Sequence, residues 1–244
     1  MSQAASTCAP HVQVVAAVFA LWLNLRLAFA GFLDRIREPF GGSSSRDIDS
    51  LYALRSGPRS CALVIDASGS MADTDWYPSR LEAARQSAKT YCKRLRDEEP
   101  AAQVAVIAYG DSAQLMCPLI PALDYDLLCE AVDNIDIIGC TNMTAGIKQA
   151  HSLLRGQQTP CQIVVLTDGH HNMGRGPQRI ASSVRSYAIL KVVGIGGSPE
   201  DIDEALCKSI ASPHPDGTKR YRWIGDKEQL IQHFHELAGG ITRE

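Results

Sequence analysis

The sequence predicts an α/β fold in which a doubly wound, mostly parallel sheet is flanked by helices, with a hydrophobic helix before it. From residue 60 onward, short apolar runs alternate with amphipathic helical patterns, and several of the runs end directly in polar residues. Buried parallel strands are continuous apolar runs, and helices cover both faces of such sheets. A nearly unbroken apolar stretch over residues 12–33 predicts the additional N-terminal helix.

The strands and helices of the sheet region can be placed in order along the chain. Pro78 falls in a first helical turn, a position that proline tolerates. Pro118 and Pro121 place the strand beside them at an edge of the sheet, because proline cannot donate to a ladder. Together the patterns predict strands at residues 62–66, 104–109, 113–119, 163–167, 189–195 and 221–224, and helices at 78–95, 124–134, 142–154, 178–187, 199–209 and 226–238.

The first sixty residues form a separate region, with six basic and four acidic residues against eighteen and twenty-three in the remainder. Within it, eighteen of the twenty-two residues at 12–33 are apolar. As a helix this stretch would extend about 33 Å, close to the thickness of a bilayer core. A glycine- and serine-rich linker follows at 41–45. We predict an apolar helix and flexible linker over 1–45, a connector over 46–60 and an α/β domain over 61–240.

Several roles are open for the apolar helix. Arg35, Arg37 and Arg46 follow it and no Lys or Arg precedes it, so a spanning helix would leave the domain in the cytoplasm, attached to the inner membrane. A face of small residues also suits packing against a partner helix. Arg26 within the run argues against a span. The alternatives are docking on the protein's own surface and a secretory signal cleaved after residues 28–30.

The composition excludes several classes of protein. A net charge of −3 is not that of a general nucleic-acid binder, which carries a basic excess. A hydrophobic content of 45% is not that of a disordered chain. None of the eight cysteines is spaced as C-x-x-C, so no zinc ribbon is predicted. Several cysteines lie within apolar runs, and we expect buried free thiols in a reduced, cytoplasmic protein.

Polar side chains follow two of the predicted strands at the point where each strand ends. Asp66, Ser68 and Ser70 come directly after the first strand, and Asp168 follows the strand at 163–167. Because the carboxyl ends of parallel strands meet at one edge of a sheet, we expect these side chains to converge. Two carboxylates held close together repel unless a proton or a cation lies between them. Carboxylates with hydroxyls favour a hard cation, and few protein ligands favour Mg²⁺.

The same residues resemble the metal-ion-dependent adhesion site of von Willebrand factor A (vWA) domains. That family has D-x-S-x-S after the first strand and T-D-G after the fourth, as in residues 66–70 and 167–169 here. Between these motifs it has a threonine in a glycine-rich loop, which Thr141 matches, although Cys140 replaces a glycine. The resemblance covers residues 60–239 and implies the Rossmann-like vWA fold.

The resemblance also implies a set of metal ligands. Ser68, Ser70 and Thr141 would donate oxygens directly, whereas Asp66 and Asp168 would act largely through water or hydroxyl contacts. Mg²⁺ is the expected ion, with Mn²⁺ or Ca²⁺ as alternatives. Cys140 removes no ligand, but it alters the loop or brings a thiol close to the metal. The default alternative, that the two serines only cap the next turn, does not account for the other residues.

For function, the resemblance implies a non-catalytic, Mg²⁺-dependent protein-binding domain. A metal held mainly by neutral hydroxyls retains charge and an exchangeable water, which a Glu or Asp of a protein partner can replace. Residues 75–84 resemble bacterial members of the family more than animal adhesion modules. Such bacterial domains often act beside AAA+ ATPases of the MoxR type or in membrane-associated assemblies, and the resemblance implies a partner of that kind.

Four polar residues are expected at the rim of this site, where a partner would bind. His170 and His171 follow Asp168 directly, and rim positions fit them better than metal ligation. Asp73 and Asp75 follow the first motif. Their charges would repel acidic ligands or steer cations, the alternative being ordinary solvated loop acids.

Two other functions are compatible with parts of the sequence. A strand-end aspartate with Mg²⁺ suits a metal-dependent phosphohydrolase of the haloacid dehalogenase type, but those enzymes need a second acid where Ser68 stands. No G-x-S-x-G or Walker loop is present either, so we predict no enzyme. The other alternative is a structural subunit that assembles with copies of itself through the N-terminal helix.

Overall fold

The computed structural model describes Arg55 and residues 57–239. The predicted apolar helix and linker of residues 1–45 and most of the connector lie outside this range, and the domain boundaries stay predictions. In the part of the chain that the structure describes, no helix combines the length and apolar character needed to cross a membrane.

Six strands of the described part of the chain form one mixed sheet. They are β1 (Ser60–Asp66), β2 (Gln103–Tyr109), β3 (Ala113–Pro121), β4 (Cys161–Thr167), β5 (Ala188–Ile195) and β6 (Tyr221–Ile224), in the order β3-β2-β1-β4-β5-β6. The neighbours are parallel except β2 and β3, which form an antiparallel pair at one edge. The edge position predicted from the prolines of β3 is confirmed. The strand order reverses between the neighbouring strands β1 and β4, and α/β sheets bind ligands at such a switch point.

Helices cover both faces of the sheet. They are α1 (Arg80–Glu98), α2 (Tyr125–Asp133), α3 (Met143–Leu154), α4 (Gln178–Arg185), α5 (Glu204–Ile210) and α6 (Lys227–Ala238). Buried side chains of α1, α2 and α6 pack on one face, and those of α3, α4 and α5 pack on the other. The central strands β1 and β4 are buried along their whole length, as their continuous apolar sequences predict.

Three local predictions need correction. Helix α1 begins at Arg80 rather than at Pro78, because Ser79 is extended and its side chain accepts a hydrogen bond from the Glu82 amide as N-cap. The helix predicted over 199–209 is a 3₁₀ turn at Pro199–Asp201 followed by α5, since Asp203 caps a new helix. A further 3₁₀ turn at Gly69–Ala72, directly after β1, was absent from the predicted elements.

The cysteines of the described residues are all free thiols. Cys61, Cys92, Cys117, Cys161 and Cys207 are buried, Cys129 is half-buried and Cys140 is exposed. Burial in apolar surroundings raises the pKa of Cys161 to about 11, so this thiol stays protonated at neutral pH. The five buried thiols therefore act as small core residues, as predicted from their apolar context.

Candidate metal centre

Four segments meet at the carboxyl edge of the sheet and are held together by backbone hydrogen bonds. The loop at 138–142 lies between the segment after β1 and the segment after β2, and it also contacts the segment after β4. The bonds are Ile138 N to Ala67 O (2.6 Å), Gly69 N to Gly139 O (2.8 Å), Asn142 N to Gly110 O (2.8 Å) and Asn172 N to Thr141 O (3.2 Å). The predicted ligands from distant parts of the chain are thus positioned by one connected backbone framework.

Asp66 lies at the centre of this framework and is completely buried. Its Oδ1 accepts a hydrogen bond from the Ser68 amide (2.9 Å). Its Oδ2 accepts from the Tyr109 hydroxyl (3.0 Å) and from Thr167 Oγ1 (2.9 Å). Burial, and next the charge of Asp168, raises the pKa of Asp66 to about 6. The carboxylate is therefore held in one orientation. A cation beside it would offset the unfavourable burial of its negative charge.

Ser68, Ser70 and Asp168 form a chain of oxygens beside it. The two serine Oγ atoms are 3.3 Å apart, and Ser70 Oγ donates to Asp168 Oδ1 at 2.8 Å. The Asp168 side chain is fully buried. Burial raises the pKa of Asp168, and hydrogen bonds from Ser70 and Arg80 offset part of this effect. Four of the five predicted ligands are thus linked directly, since the Ser68 amide also contacts Asp66.

Thr141 lies on the 138–142 loop and is only 4% exposed. Its amide donates to Asn172 Oδ1 at 2.9 Å, and its carbonyl accepts from the Asn172 amide at 3.2 Å. Asn172 therefore ties the Thr141 loop to the segment that follows Asp168. Sequence reasoning missed this residue, because a lone Asn in a loop carries no spacing signal.

Asp111, which was also missed, supports the same loop from the end of β2. Its Oδ1 accepts a hydrogen bond from the Cys140 amide. Gly139 has a φ of +69°, and a Cβ there would lie 2.6 Å from the Asp111 carboxylate, so this position requires glycine. Cys140 itself is exposed, and a hydrogen bond to Asp111 raises the pKa of its thiol. The turn of the loop is therefore made at Gly139. The presence of Cys140 where the family has a glycine does not affect it.

Arg80 is the most consequential residue that sequence reasoning missed. Its guanidinium donates Nη1 to Asp168 Oδ2 at 3.1 Å, and Nε and Nη2 to the two oxygens of Asp75 at 2.9 and 2.8 Å. Its side chain is only 10% exposed. A buried cation in contact with a predicted metal-site carboxylate gives the centre a counter-charge from the protein itself. Arg80 belongs to the 75–84 segment used above for the resemblance, but its partner 88 positions away has no sequence signal.

The four predicted rim residues lie in different surroundings. Asp75 is paired with Arg80, so it is not an ordinary solvated acid, whereas the Asp73 side chain is 60% exposed and 3.9 Å from Arg80 Nη2. His170 is exposed. His171 is half-buried, and its Nε2 lies 3.1 Å from the Arg175 carbonyl of its own loop.

The donor set fits a hard cation. Among the described residues, no group of three or more His, Cys, Asp or Glu side chains is placed to hold a metal ion. The candidate centre is of another kind, because it combines two buried carboxylates with hydroxyl oxygens. Such oxygen ligands suit Mg²⁺, Mn²⁺ or Ca²⁺ rather than softer metals. The raised pKa values of Asp66 and Asp168 mark a position where positive charge is favourable.

Residues 61–171, somewhat less than half of the chain, match the sequence model of the von Willebrand factor type A domain. The fold of the described residues is vWA-like. The matched segment begins in β1 and ends just after Asp168, so it contains the complete candidate centre.

Two curated bacterial relatives match a larger share of the chain. "Uncharacterized protein YfbK" of Escherichia coli K12 is 29% identical over 171 residues, which is 66% of this chain and 27% of that protein. A "UPF0353 protein" of Mycolicibacterium gilvum is 27% identical over 209 residues, 75% of this chain and 60% of that protein. The chain therefore spans less than two thirds of the length of either relative.

Solved structures with the same fold come from bacteria and from an animal. They include a von Willebrand factor type A protein from Catenulispora acidiphila (TM-score 0.64, 22% identity, 75% of this chain and 42% of that one). BatB from Bacteroides thetaiotaomicron gives a TM-score of 0.58 at 21% identity, over 75% and 99% of the two chains. A mussel byssus thread matrix protein described with a zinc-occupied MIDAS motif gives 0.62 at 19% identity, over 75% and 45%. At these identities the likeness shows the fold.

Proposed function

We propose that this vWA domain binds a protein partner through a divalent metal ion held at the candidate centre. The observation that carries the proposal is the oxygen chain of Ser68, Ser70 and Asp168, beside the buried Asp66 at the carboxyl edge of the sheet. Domains of this family typically mediate protein interactions, which agrees with the proposal.

Mg²⁺ is the ion we propose, with Mn²⁺ or Ca²⁺ as alternatives. Ser68, Ser70 and Thr141 would hold it directly, with Asp66 and Asp168 in support. These three are neutral oxygens, so a bound ion would keep much of its charge and could accept a carboxylate of the partner at an open position. The hydrogen bonds from Tyr109 and Thr167 fix Asp66 beforehand, which lowers the ordering cost of metal binding.

The proposed partner presents a Glu or Asp to the metal and a flanking segment to the adjacent surface. A groove of about 510 Å³ lies beside the Arg80–Asp75 pair, lined by residues that include Asp75, Trp76, Tyr77 and Lys227. The Tyr77 side chain is exposed and offers an apolar contact next to a polar rim. An AAA+ ATPase of the MoxR type is a candidate for this partner, on the sequence resemblance given above.

We propose a binding role rather than catalysis. Both oxygens of Asp66 already accept hydrogen bonds, three in all, and the side chain is buried. A phosphohydrolase nucleophile would need an accessible oxygen and a second acid two residues later, where Ser68 stands. Turnover of a phosphate ester that is lost on Asp66→Ala would contradict this part of the proposal.

The test is a Mg²⁺ titration by calorimetry followed by a pull-down with Mg²⁺ or EDTA, and identification of the retained proteins. Asp66→Ala and Thr141→Ala should abolish Mg²⁺ binding and Mg²⁺-dependent retention while the circular dichroism spectrum stays unchanged. Asp97→Ala, an exposed acid on α1, is the control and should behave like the native protein. Retention that is insensitive to EDTA and to both substitutions would refute the metal-bridged mechanism.

We also propose that residues 12–33 attach the chain to the inner membrane, with the domain on the cytoplasmic side. The apolar run and the arginines after it support this, and a solved relative is described as an aerotolerance-related membrane protein of Bacteroides fragilis. Residues 1–45 fused to a soluble reporter should sediment with membranes. Recovery of the reporter in the soluble fraction would refute attachment and leave the metal proposal untouched.

A further inference from the structure

The segment between β4 and α4 carries exposed basic side chains beside the metal centre. We call residues 169–179 the basic loop, because they include Arg175 and Arg179 and no Asp or Glu. Both arginines are exposed, and no hydrogen bond or ion pair joins either guanidinium to a residue that the structure describes. Other arginines of the domain each pair with a carboxylate, namely Arg59, Arg80, Arg85, Arg94 and Arg96. The charges of the basic loop are therefore available to a partner.

The backbone of the basic loop is fastened to the elements that carry Thr141. Asn172 exchanges two hydrogen bonds with Thr141, one through its side chain and one through its amide. The carbonyl of Arg175 accepts a hydrogen bond from Thr144 Oγ1, in the first turn of α3, and lies 3.1 Å from His171 Nε2. The Arg175 side chain therefore starts from a fixed backbone position close to the candidate ligands.

The other side of the metal centre carries acids. The segment after β1 leads to α1 on one face of the sheet, whereas the basic loop leads to α4 on the opposite face. Asp73 is exposed on the first of these segments, and Asp226 and Glu228 line the groove beside it. Arg80 and Lys227 offset only part of this charge. The carboxyl edge of the sheet is thus divided, with acids on the α1 side and unpaired arginines on the α4 side.

We propose that the partner of this domain presents an acidic segment, in which carboxylates beside the one at the metal bind Arg175 and Arg179. This rests on the proposed function, because the metal-bound carboxylate of the partner is the fixed point of the contact. Guanidinium groups hold carboxylates by charge-assisted, often bidentate hydrogen bonds. Met173 of the same loop is 42% exposed and adds an apolar contact. The acids on the α1 side repel the acidic part of the partner and direct it towards the basic loop.

A protein segment fits this surface better than an anionic membrane does. A bilayer with anionic lipids presents negative charge over its whole plane, so it would meet Asp73 and Glu228 as well as the arginines. A protein segment can follow the division of charge, with its acids on the α4 side only. Complementary placement of this kind selects partners, because like charges brought together exclude the wrong ones.

The test is titration of the full chain with short Gly/Ser peptides of equal length, in Mg²⁺ and at constant ionic strength, followed by ¹H–¹⁵N NMR. The first peptide has one Glu, the second has two further Glu on one side of it, and the third has two Lys there instead. An exposed ion pair contributes about threefold in affinity, so the second peptide should bind about tenfold more tightly than the first. Its additional shifts should lie at residues 169–179.

Variants assign this gain to the two arginines. Arg175→Gln and Arg179→Gln should each reduce the gain by about threefold. Lys93→Gln, an exposed lysine of α1, is the charge-matched control and should leave it unchanged. Arg179→Glu should strengthen binding of the third peptide and weaken binding of the second, a reversal that a purely structural role of Arg179 would not produce.

The same titrations in EDTA separate this proposal from the proposed function. Both Glu peptides should bind more weakly in EDTA, while the arginine-dependent preference for the second remains. That preference without any effect of Mg²⁺ would refute the metal bridge and still support the role of the basic loop. Equal affinities of the two Glu peptides, a preference that persists without both arginines, or no binding of either peptide would overturn the proposal. Vesicles of phosphatidylcholine with phosphatidylglycerol that bind through the same arginines more tightly than the second peptide would overturn the protein partner.

Discussion

Arg80 joins the metal centre to the loop that precedes α1. It donates hydrogen bonds to Asp75 on one side and to Asp168 on the other, and these bonds raise its pKa further above the usual value, so it stays charged. Without a metal ion, Arg80 is the cation nearest to the buried Asp168 carboxylate among the ion pairs of the described residues. When a metal ion binds, the positive charge of Arg80 repels it. Arg80 should therefore stabilise the metal-free protein and weaken metal binding.

Arg80→Gln should separate these effects. In EDTA the variant should lose about 3 kcal/mol of unfolding free energy, because a buried carboxylate loses its partner. In saturating Mg²⁺ the loss should be much smaller, and Mg²⁺ affinity should rise. Urea denaturation with EDTA and with Mg²⁺ measures both. Lys93→Gln, an exposed residue of the same helix, is the charge-matched control. Equal losses of stability in the two conditions would contradict this role of Arg80.

His233 should make stability depend on pH. Burial, and next the charge of Arg222, lowers its folded-state pKa from 6.5 to about 4, and its side chain is 13% exposed. The unfolded chain therefore binds the proton first, so this contribution is full above pH 6.5 and is lost as the pH falls through 4. The difference corresponds to about 3 kcal/mol at the acid limit.

His233→Gln should remove that part of the pH dependence. Urea denaturation at pH 7 and at pH 4.5 should show a smaller decrease for the variant than for the native protein. Since other groups titrate in the same range, the difference between the two proteins is the quantity to compare. Parallel curves would show that His233 is not buried and neutral as described.

Local sequence signals determined how much of the centre could be predicted. Asp66, Ser68, Ser70 and Asp168 follow strands directly, so periodicity alone brings them to one edge of the sheet. Arg80, Asp111 and Asn172 act through contacts that depend on how the loops pack. No spacing rule links these residues to their partners, and sequence reasoning therefore missed them.

At the scale of elements, strand ends were predicted more accurately than helix starts. The end of β1 at Asp66 and the bounds of β6 agree with the prediction, because apolar runs stop abruptly at polar residues. The start of a helix depends on which side chain accepts hydrogen bonds from its first free backbone amides. Ser79 is that residue in α1, which begins two residues later than predicted. Asp203 is that residue in α5, and it divides the helix predicted over 199–209.

Gly146 sets the distance between α3 and the sheet. A Cβ at this position would lie 2.8 Å from Val64 Cγ1 and 2.9 Å from Tyr109 Cδ1, both in the buried core. Gly146→Ala gains about 1 kcal/mol in helix propensity. Overpacking costs about 1–3 kcal/mol, so we expect a net loss of stability. Tyr109 also donates to Asp66, so Mg²⁺ affinity should fall as well.

Chemical denaturation and Mg²⁺ calorimetry of Gly146→Ala test both expectations. Ser152→Ala, an exposed position of the same helix, should be neutral or slightly stabilising and serves as the control. A Gly146→Ala protein that is more stable than the native one would mean that α3 can move away from the sheet without cost.

At the scale of the molecule, the order of the elements is what the sequence predicted best. Alternation of strands and helices leads to one mostly parallel sheet with two helical layers, and the prolines of β3 place that strand at the edge.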